Sequence, residues 1–254
     1  MTDSSAYDGQ SAEELRLALQ LPRLELRPTV TSTMDIAHAL AAAGAPAGTL
    51  VLADAQTAGR GRGGKGWESA AGRGIWLTLI ERPCARSTLE VLSIRAGIAA
   101  AAALQPLSDA PIGLKWPNDL YVRTGKLAGI LVETHWRGAT PEWVALGIGV
   151  NVRLPDTVGA AGSLRAAVTR VDALVVLIPA LRSAAAATDE CLTDRELAEY
   201  TSRDFVRGHW AEAPVAGQIR GVDRRGALIV ATSAGEIPVR AGSLVLAGGA
   251  PVGN

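Results

Sequence analysis

From Ala55 to Trp67 the chain carries Arg60, Arg62 and Lys65 interleaved with five glycines and no acid, in the run GRGRGGKGW that begins at Gly59. Glycine lets backbone N–H groups turn toward an anion, and the planar guanidinium of arginine matches carboxylate or phosphate. Such a loop suits two anions at once. The competing reading of these residues alone is a flexible basic loop or an RGG-like nucleic-acid segment. Segments of that kind stand in disordered, low-complexity context, whereas apolar strand-like runs flank this one on both sides. Gly59, Gly64 and Lys65 also fit the first part of a phosphate-binding P-loop, but Gly66 stands where Ser or Thr must hold magnesium. A dinucleotide fingerprint fails as well, because no acidic residue closes a second strand of a clear βαβ unit.

Two further clusters can serve such a loop. In LKWPNDLYVRTGKLAGILVE, from Leu114 to Glu133, Pro117 stops a strand and turns it, so Lys115, Asn118 and Asp119 gather at a bend. Taken singly, Asn118 and Asp119 are more often turn-formers than catalysts. Lys126 then opens a strand beside Ala128 and Gly129, which leave room for a ligand against the backbone. In GIGVNV, Gly147, Gly149 and Asn151 interrupt an apolar strand. A buried Asn needs partners, and its amide both donates and accepts, as an adenine edge requires.

The elements that must position these residues follow from pattern. Ser11 to Glu14 is a capping box opening a short helix that ends near Pro22, and Leu24 to Leu26 reads as an entering strand. Ser32 and Thr33 are cap candidates for a helix over Met34 to Ala43, stopped by Gly44 and Pro46. TLVLADAQ and IWLTLI read as the strands before and after the glycine-rich run. Leu89 to Leu104 reads as a long core helix with Arg95 on its flank. Strands are expected near Ile112 to Trp116, Lys126 to His135 and Trp143 to Val152, a loop at Asp156 to Gly162, and helices at Ala173 to Ala187 and Arg195 to Phe205. The fold class is therefore α+β, a mixed and mostly antiparallel sheet flanked by helices. After His209 short alternating strands about ten residues apart suggest a small SH3-like β-domain. Placing the boundary near Glu212 to Val215 divides the chain into residues 1–212 and 213–254.

Composition bounds the rest. The 254 residues carry a formal net charge of zero, so no global field attracts DNA or an anionic membrane, and any electrostatic function is local. Cys84 and Cys191 fit no zinc or redox spacing and read as ordinary thiols of a reducing, cytoplasmic compartment. The start MTDSSAYDGQSAEE has neither basic nor apolar region of a secretory signal, and no apolar run reaches the roughly 18 residues of a membrane span.

Taken together, DAQTAGRGRGGKGW, KWPNDLY with KLAGILVE, and GIGVNV resemble, in order and spacing, the motifs of biotin protein ligases, and TSTMD from Thr31 to Asp35 resembles that family's opening motif. The resemblance covers Thr31 to Val152, with the C-terminal β-segment like the family's small domain. It implies a sheet like that of class II aminoacyl-tRNA synthetases and lipoate ligases. It also implies a two-step reaction in which biotin and MgATP give biotinyl-5′-adenylate, and a lysine of a biotin carboxyl carrier domain then takes the biotinyl group. By motif, Ser32, Thr33 and Gln56 with Gly59 and the Arg60 backbone would hold the ureido ring, and Trp67, Gly129, Ile130 and Leu131 would wall the apolar part. Arg60, Arg62 and Lys126 are the catalytic candidates that hold carboxylate and α-phosphate together. Lys65, Lys115, Asn118, Trp67 and Asn151 would serve ATP, and the residues that hold magnesium are not identified.

The physical need agrees with these roles. Two unit charges at ~4 Å repel by about 4 kcal/mol at an effective dielectric of 20, so joining two anions demands counter-charge. None of His38, His135 or His209 falls in a motif, and all three read as structural. The residues before TSTMD are too few for the helix-turn-helix domain of members with repressor function, so neither that domain nor DNA as a partner is expected. Gly63 and Gly66 stand at positions often basic in the family. The rival readings are a lipoate or octanoyl ligase of the same superfamily and a non-catalytic nucleotide- or nucleic-acid-binding module.

Overall fold

In the computed structural model, which describes residues 6–82, 86–123, 125–155 and 161–248, side-chain alternation along one large sheet decides where the chemistry sits. Its strands are β1 (Leu24–Val30), β2 (Thr49–Gln56), β3 (Gly74–Glu81), β4 (Ile112–Lys115), β5 (Asp119–Val122), β6 (Gly125–Arg137) and β7 (Thr140–Asn151). They lie in the order β1-β2-β3-β7-β6-β5-β4. Only β1 and β2 pair in parallel; the other neighbours are antiparallel, as the sequence led us to expect.

The helices are α1 (Ala12–Ala18), α2 (Thr33–Ala42), α3 (Leu92–Leu104), α4 (Arg170–Ala186) and α5 (Asp194–Arg203). Leu50, Leu52, Leu77, Leu79, Ile130 and Ile148 point to one face of the sheet and join α3 and α4 in the main apolar cluster. The alternate residues Val51, Ile80 and Trp143 point to the other face and pack under Ala37 and Ala41 of α2. Beyond α2 that second face carries the small residues Thr78, Gly129, Gly147 and Gly149 beside Trp76 and Leu131.

Local chemistry sets the ends of these elements. Ser11 and Glu14 form the expected capping box of α1, and Ser32 Oγ accepts from the Met34 amide to start α2. α4 starts at Arg170, before the expected Ala173, because Thr169 and Asp172 make a capping box of their own. α3 starts at Leu92 rather than Leu89, with Ser87–Leu89 forming a separate 3₁₀ turn.

The strand β5 was not foreseen. Lys115 pairs with Asp119 in register, so Trp116–Asn118 is a hairpin turn rather than the end of the strand system. Cys84 and residues 156–160 of the expected Asp156 to Gly162 loop lie outside the described residues. Ala161 bridges to Lys126, and the Gly162 amide donates to the Lys126 carbonyl at 3.0 Å.

A second, antiparallel sheet follows: β8 (Trp210–Ala213), β9 (Gly217–Val222), β10 (Leu228–Thr232), β11 (Gly235–Val239) and β12 (Val245–Leu246), in the order β11-β10-β9-β8-β12. Its buried Ala211, Ile219, Leu228, Val230 and Leu246 join the main apolar cluster, so the two sheets share one continuous core. Two polar ties cross between them. The Trp116 indole N–H donates to the Gly226 carbonyl at 3.0 Å, and the Arg62 guanidinium donates to the Gly242 carbonyl at 3.0 Å. No helix among the described residues is long and apolar enough to cross a membrane.

Candidate active site

The glycine-rich run is a small hairpin folded on itself. Arg60 bridges to Gly66, the Gly61 amide donates to the Lys65 carbonyl at 2.7 Å, and the Trp67 amide donates to the Gly59 carbonyl at 2.9 Å. Its tip, Arg62–Gly64, turns through positive φ at Gly63 and Gly64, which an L side chain would strain. The hairpin closes over the helix-free part of the second sheet face, around a cavity of about 300 Å³. That volume is at the low end of small-molecule sites.

One end of the cavity is lined with hydrogen-bonding groups. Gln56 Oε1 accepts from the Thr33 amide at 2.8 Å and from the Thr33 hydroxyl at 3.2 Å. Gln56 Nε2 donates to Ser69 Oγ at 2.8 Å, which fixes the orientation of the amide. The Thr33 and Thr78 hydroxyls lie 2.9 Å apart. Ser32 and Thr33, both buried, are delivered by the cap of α2.

The middle is apolar and flat. Gly129 and Gly149 face each other across β6 and β7, and the Trp67 indole lies on both. A Cβ on Gly149 would fall on Trp67 Nε1, and one on Gly129 would come within 3.0 Å of its Cζ3. Gly147 leaves room for the Met34 methyl in the same way. Leu131 and Ile130 both line the cavity, Ile130 with its Cδ1 turned toward Gly97 of α3 on the opposite face.

The other end is cationic. Arg62, Lys65, Lys115 and Lys126 line it against a single carboxylate, Asp119, among the described lining residues. Lys126 Nζ lies 2.7 Å from Asp119 Oδ1 and 5.1 Å from the Trp67 ring centroid. Burial lowers the pKa of Lys115, Asp119 raises it, and the neighbouring Lys126 and Lys65 lower it further, the net shift being downward. A like-charged cluster of this kind gains from an arriving anion.

Four expected residues stand differently from the simplest reading of their roles. Gly59 does not line the cavity; it lets the hairpin base pass Trp67 and Gln56, where a Cβ would collide with the Trp67 carbonyl. Asn151 is buried and spends its Nδ2 on the Lys126 carbonyl at 3.0 Å, holding the strand that carries Lys126. Asn118 donates to the Ile130 carbonyl at 2.7 Å and so locks the β4–β5 turn to β6. Arg60 lines the cavity with its guanidinium engaged by Asp35 at 2.9 Å and Glu133 at 3.4 Å.

Sequence reasoning did not carry Thr78, Tyr121, Ser243 and Leu244 into the site, although all line the cavity, and it placed Trp116 and Asp119 only at the bend that the cavity adjoins. A hydroxyl inside the apolar run IWLTLI was a usable signal for Thr78. Nothing near the motifs points to Ser243 and Leu244, which arrive from the second sheet.

Residues 26–151 match the biotin/lipoate A/B protein ligase family. The bifunctional ligase/repressor BirA of Bacillus spizizenii is 37% identical over 147 residues, 56% of this chain and 45% of the relative. The biotin–acetyl-CoA-carboxylase ligase of Mycobacterium tuberculosis is 43% identical over 112 residues, 41% of this chain and 40% of the relative. The chain thus spans less than half the length of these two curated relatives. In fold it is similar to a biotin protein ligase from Aquifex aeolicus solved in complex with biotin and ATP, with a TM-score of 0.74 and 23% identity, covering 89% of this chain and 99% of that one.

Proposed function

Through residues 26–151 this chain belongs to the biotin/lipoate A/B protein ligase family, and on that premise we propose that it is a biotin protein ligase. The biotin carboxylate attacks the α-phosphorus of ATP, the bond to pyrophosphate breaks, and biotinyl-5′-adenylate forms. A lysine amine of a biotin carboxyl carrier domain then attacks the acyl carbon, and AMP leaves with the bonding pair.

One observation carries the reading: a single cavity joins a hydroxyl-and-amide end, an indole on a two-glycine floor, and a four-cation end. The ureido ring fits the first, at Ser32, Thr33, Gln56 and Thr78. The thiophane ring and valeryl chain fit the second. The carboxylate and phosphates fit the third, at Arg62, Lys65, Lys115 and Lys126, where positioning and fixed charge lower the barrier without a protein nucleophile. Closure of the hairpin keeps water from the mixed anhydride.

Magnesium belongs to the nucleotide in this proposal. Asp119, the one carboxylate among the described lining residues, is salt-bridged to Lys126, and no group of three or more metal-ligating side chains occurs among the described residues, so no step is routed through a protein-held ion. The proposal takes the reaction to be cytoplasmic, a compartment that supplies ATP.

The test is pyrophosphate release from ATP with biotin and, in parallel, with lipoate, followed by label transfer to a biotin carboxyl carrier domain. Biotin-dependent release and transfer are the expected result. Release with lipoate alone would assign the chain to the lipoate branch of the family, and silence with both would leave only a binding module.

A further inference from the structure

The cationic end does not use every cation that reaches the cavity. Arg60 Nη2 sits between Asp35 Oδ1, on the first turn of α2, and Glu133 Oε2, on β6. Glu133 Oε2 also lies 2.9 Å from His38 Nε2, one turn along α2 from Asp35. His38 Nδ1 in turn accepts from the Trp143 indole N–H of β7 at 3.0 Å. An indole nitrogen only donates, so Nδ1 must accept, and the imidazole proton is assigned to Nε2, facing Glu133. The His135 ring stacks on Trp143 with centroids 4.0 Å apart, which fixes the indole at the far end of the chain.

The result is a line of polar contacts that joins the hairpin base, α2, β6 and β7. Within it two carboxylates face one guanidinium, so the positive charge of Arg60 is already matched and offers little to an arriving anion. Arg60 is also the residue whose backbone bridges to Gly66 at the base of the hairpin.

We propose that Arg60 is a positioning residue whose side chain, held by Asp35, Glu133 and His38, brackets the base of the glycine-rich hairpin onto α2 and β6. Anion binding is left to Arg62, Lys65, Lys115 and Lys126. This rests on the reading of the cavity as the site for biotin and ATP. His38, which read as structural from sequence, acquires a role here by setting the proton that Glu133 receives. Both carboxylates meet the same terminal nitrogen, Nη2, which the lysine ammonium, on a side chain one atom shorter, does not reach.

The experiment combines two readouts on the full chain: hydrogen exchange of the Gly61 and Trp67 amides without ligand, and the KM values for biotin and ATP in pyrophosphate release. The variants are Arg60→Met, Arg60→Lys, the double Asp35→Asn with Glu133→Gln, and the triple that adds Arg60→Met. Loss of charge-assisted bonds predicts that Arg60→Met and the double variant each speed exchange at both amides by about tenfold, with the triple no faster than Arg60→Met. The biotin KM is expected to rise by about tenfold and the ATP KM by less, since Lys115 and Lys126 stand off the hairpin while Arg62 and Lys65 ride on it. Arg60→Lys should fall with Arg60→Met. Unchanged exchange, additive effects, wild-type behaviour of Arg60→Lys, or an ATP KM that rises as it does in Arg62→Met would each overturn the bracket. Absence of biotin-dependent activity in the wild type would instead remove the functional reading, and the exchange data would still decide the bracket.

Discussion

Trp67 is held against Gly129 and Gly149, two residues that face each other on neighbouring strands, and this contact makes the apolar wall of the cavity. Gly149→Ala places a methyl on the indole nitrogen, and overpacking of a fitted contact costs about 1–3 kcal/mol. Biotin affinity measured by titration calorimetry is therefore expected to fall by about tenfold to a hundredfold, with a smaller fall for Gly129→Ala, where the neighbour need yield only slightly. Unchanged affinity in Gly149→Ala would show that Trp67 is no wall of the biotin site. At this scale the sequence was informative about residue types, since the cations, the glycines and Trp67 lie together as their spacing suggested. It was less informative about which atom each residue uses. Asn151 was expected to meet adenine, and its Nδ2 also donates to the Lys126 carbonyl, a pairing between neighbouring strands that no local pattern encodes.

Among the elements, α3 holds a feature its composition conceals. Arg95 reads from sequence as a flank residue of an alanine-rich helix, yet it is buried and donates to Glu196 at 2.5 Å, to the Asp189 carbonyl at 3.1 Å and to the Cys191 carbonyl at 2.9 Å. Glu196 is at the same time the capping-box acid of α5, so one ion pair fixes both the start of α5 and its packing on α3. Removing the buried guanidinium leaves two carbonyls and a partly exposed carboxylate without their donor, at a cost of about 1–3 kcal/mol. Arg95→Met is expected to lower unfolding free energy by that amount in urea titrations, and a change below about 1 kcal/mol would mean that water replaces the guanidinium. Strands β2, β3, β6 and β7 were legible because their apolar runs are long. β5 was not, since four residues after a proline-containing bend give too short a run to separate from a turn.

Across the whole molecule, Trp116 and Arg62 tie the site to the second sheet, one through Gly226 and the other through Gly242. Trp116→Phe keeps the ring but leaves the Gly226 carbonyl without its donor, a loss of about 1–3 kcal/mol. Hydrogen exchange is expected to quicken in Leu228–Thr232 while the strands of the large sheet keep their protection; equal loss in both sheets would mean that they open as one unit. The mostly antiparallel large sheet was legible from the order of its segments, but the arrival of Ser243 and Leu244 at the cavity was not, because contacts between residues so far apart in sequence leave no periodic trace. The glycine floor bears on attempts to make the molecule more heat-tolerant. Replacing glycine by alanine at an ordinary strand position stabilises a protein by about 0.4–1 kcal/mol, by narrowing the unfolded ensemble. Gly129, Gly147 and Gly149 have backbone angles that would permit the exchange, yet each added methyl would occupy space taken by Trp67 or Met34. The gain in the unfolded ensemble is therefore offset by the clash at these three positions, and a hardier variant has to find its gain elsewhere in the chain.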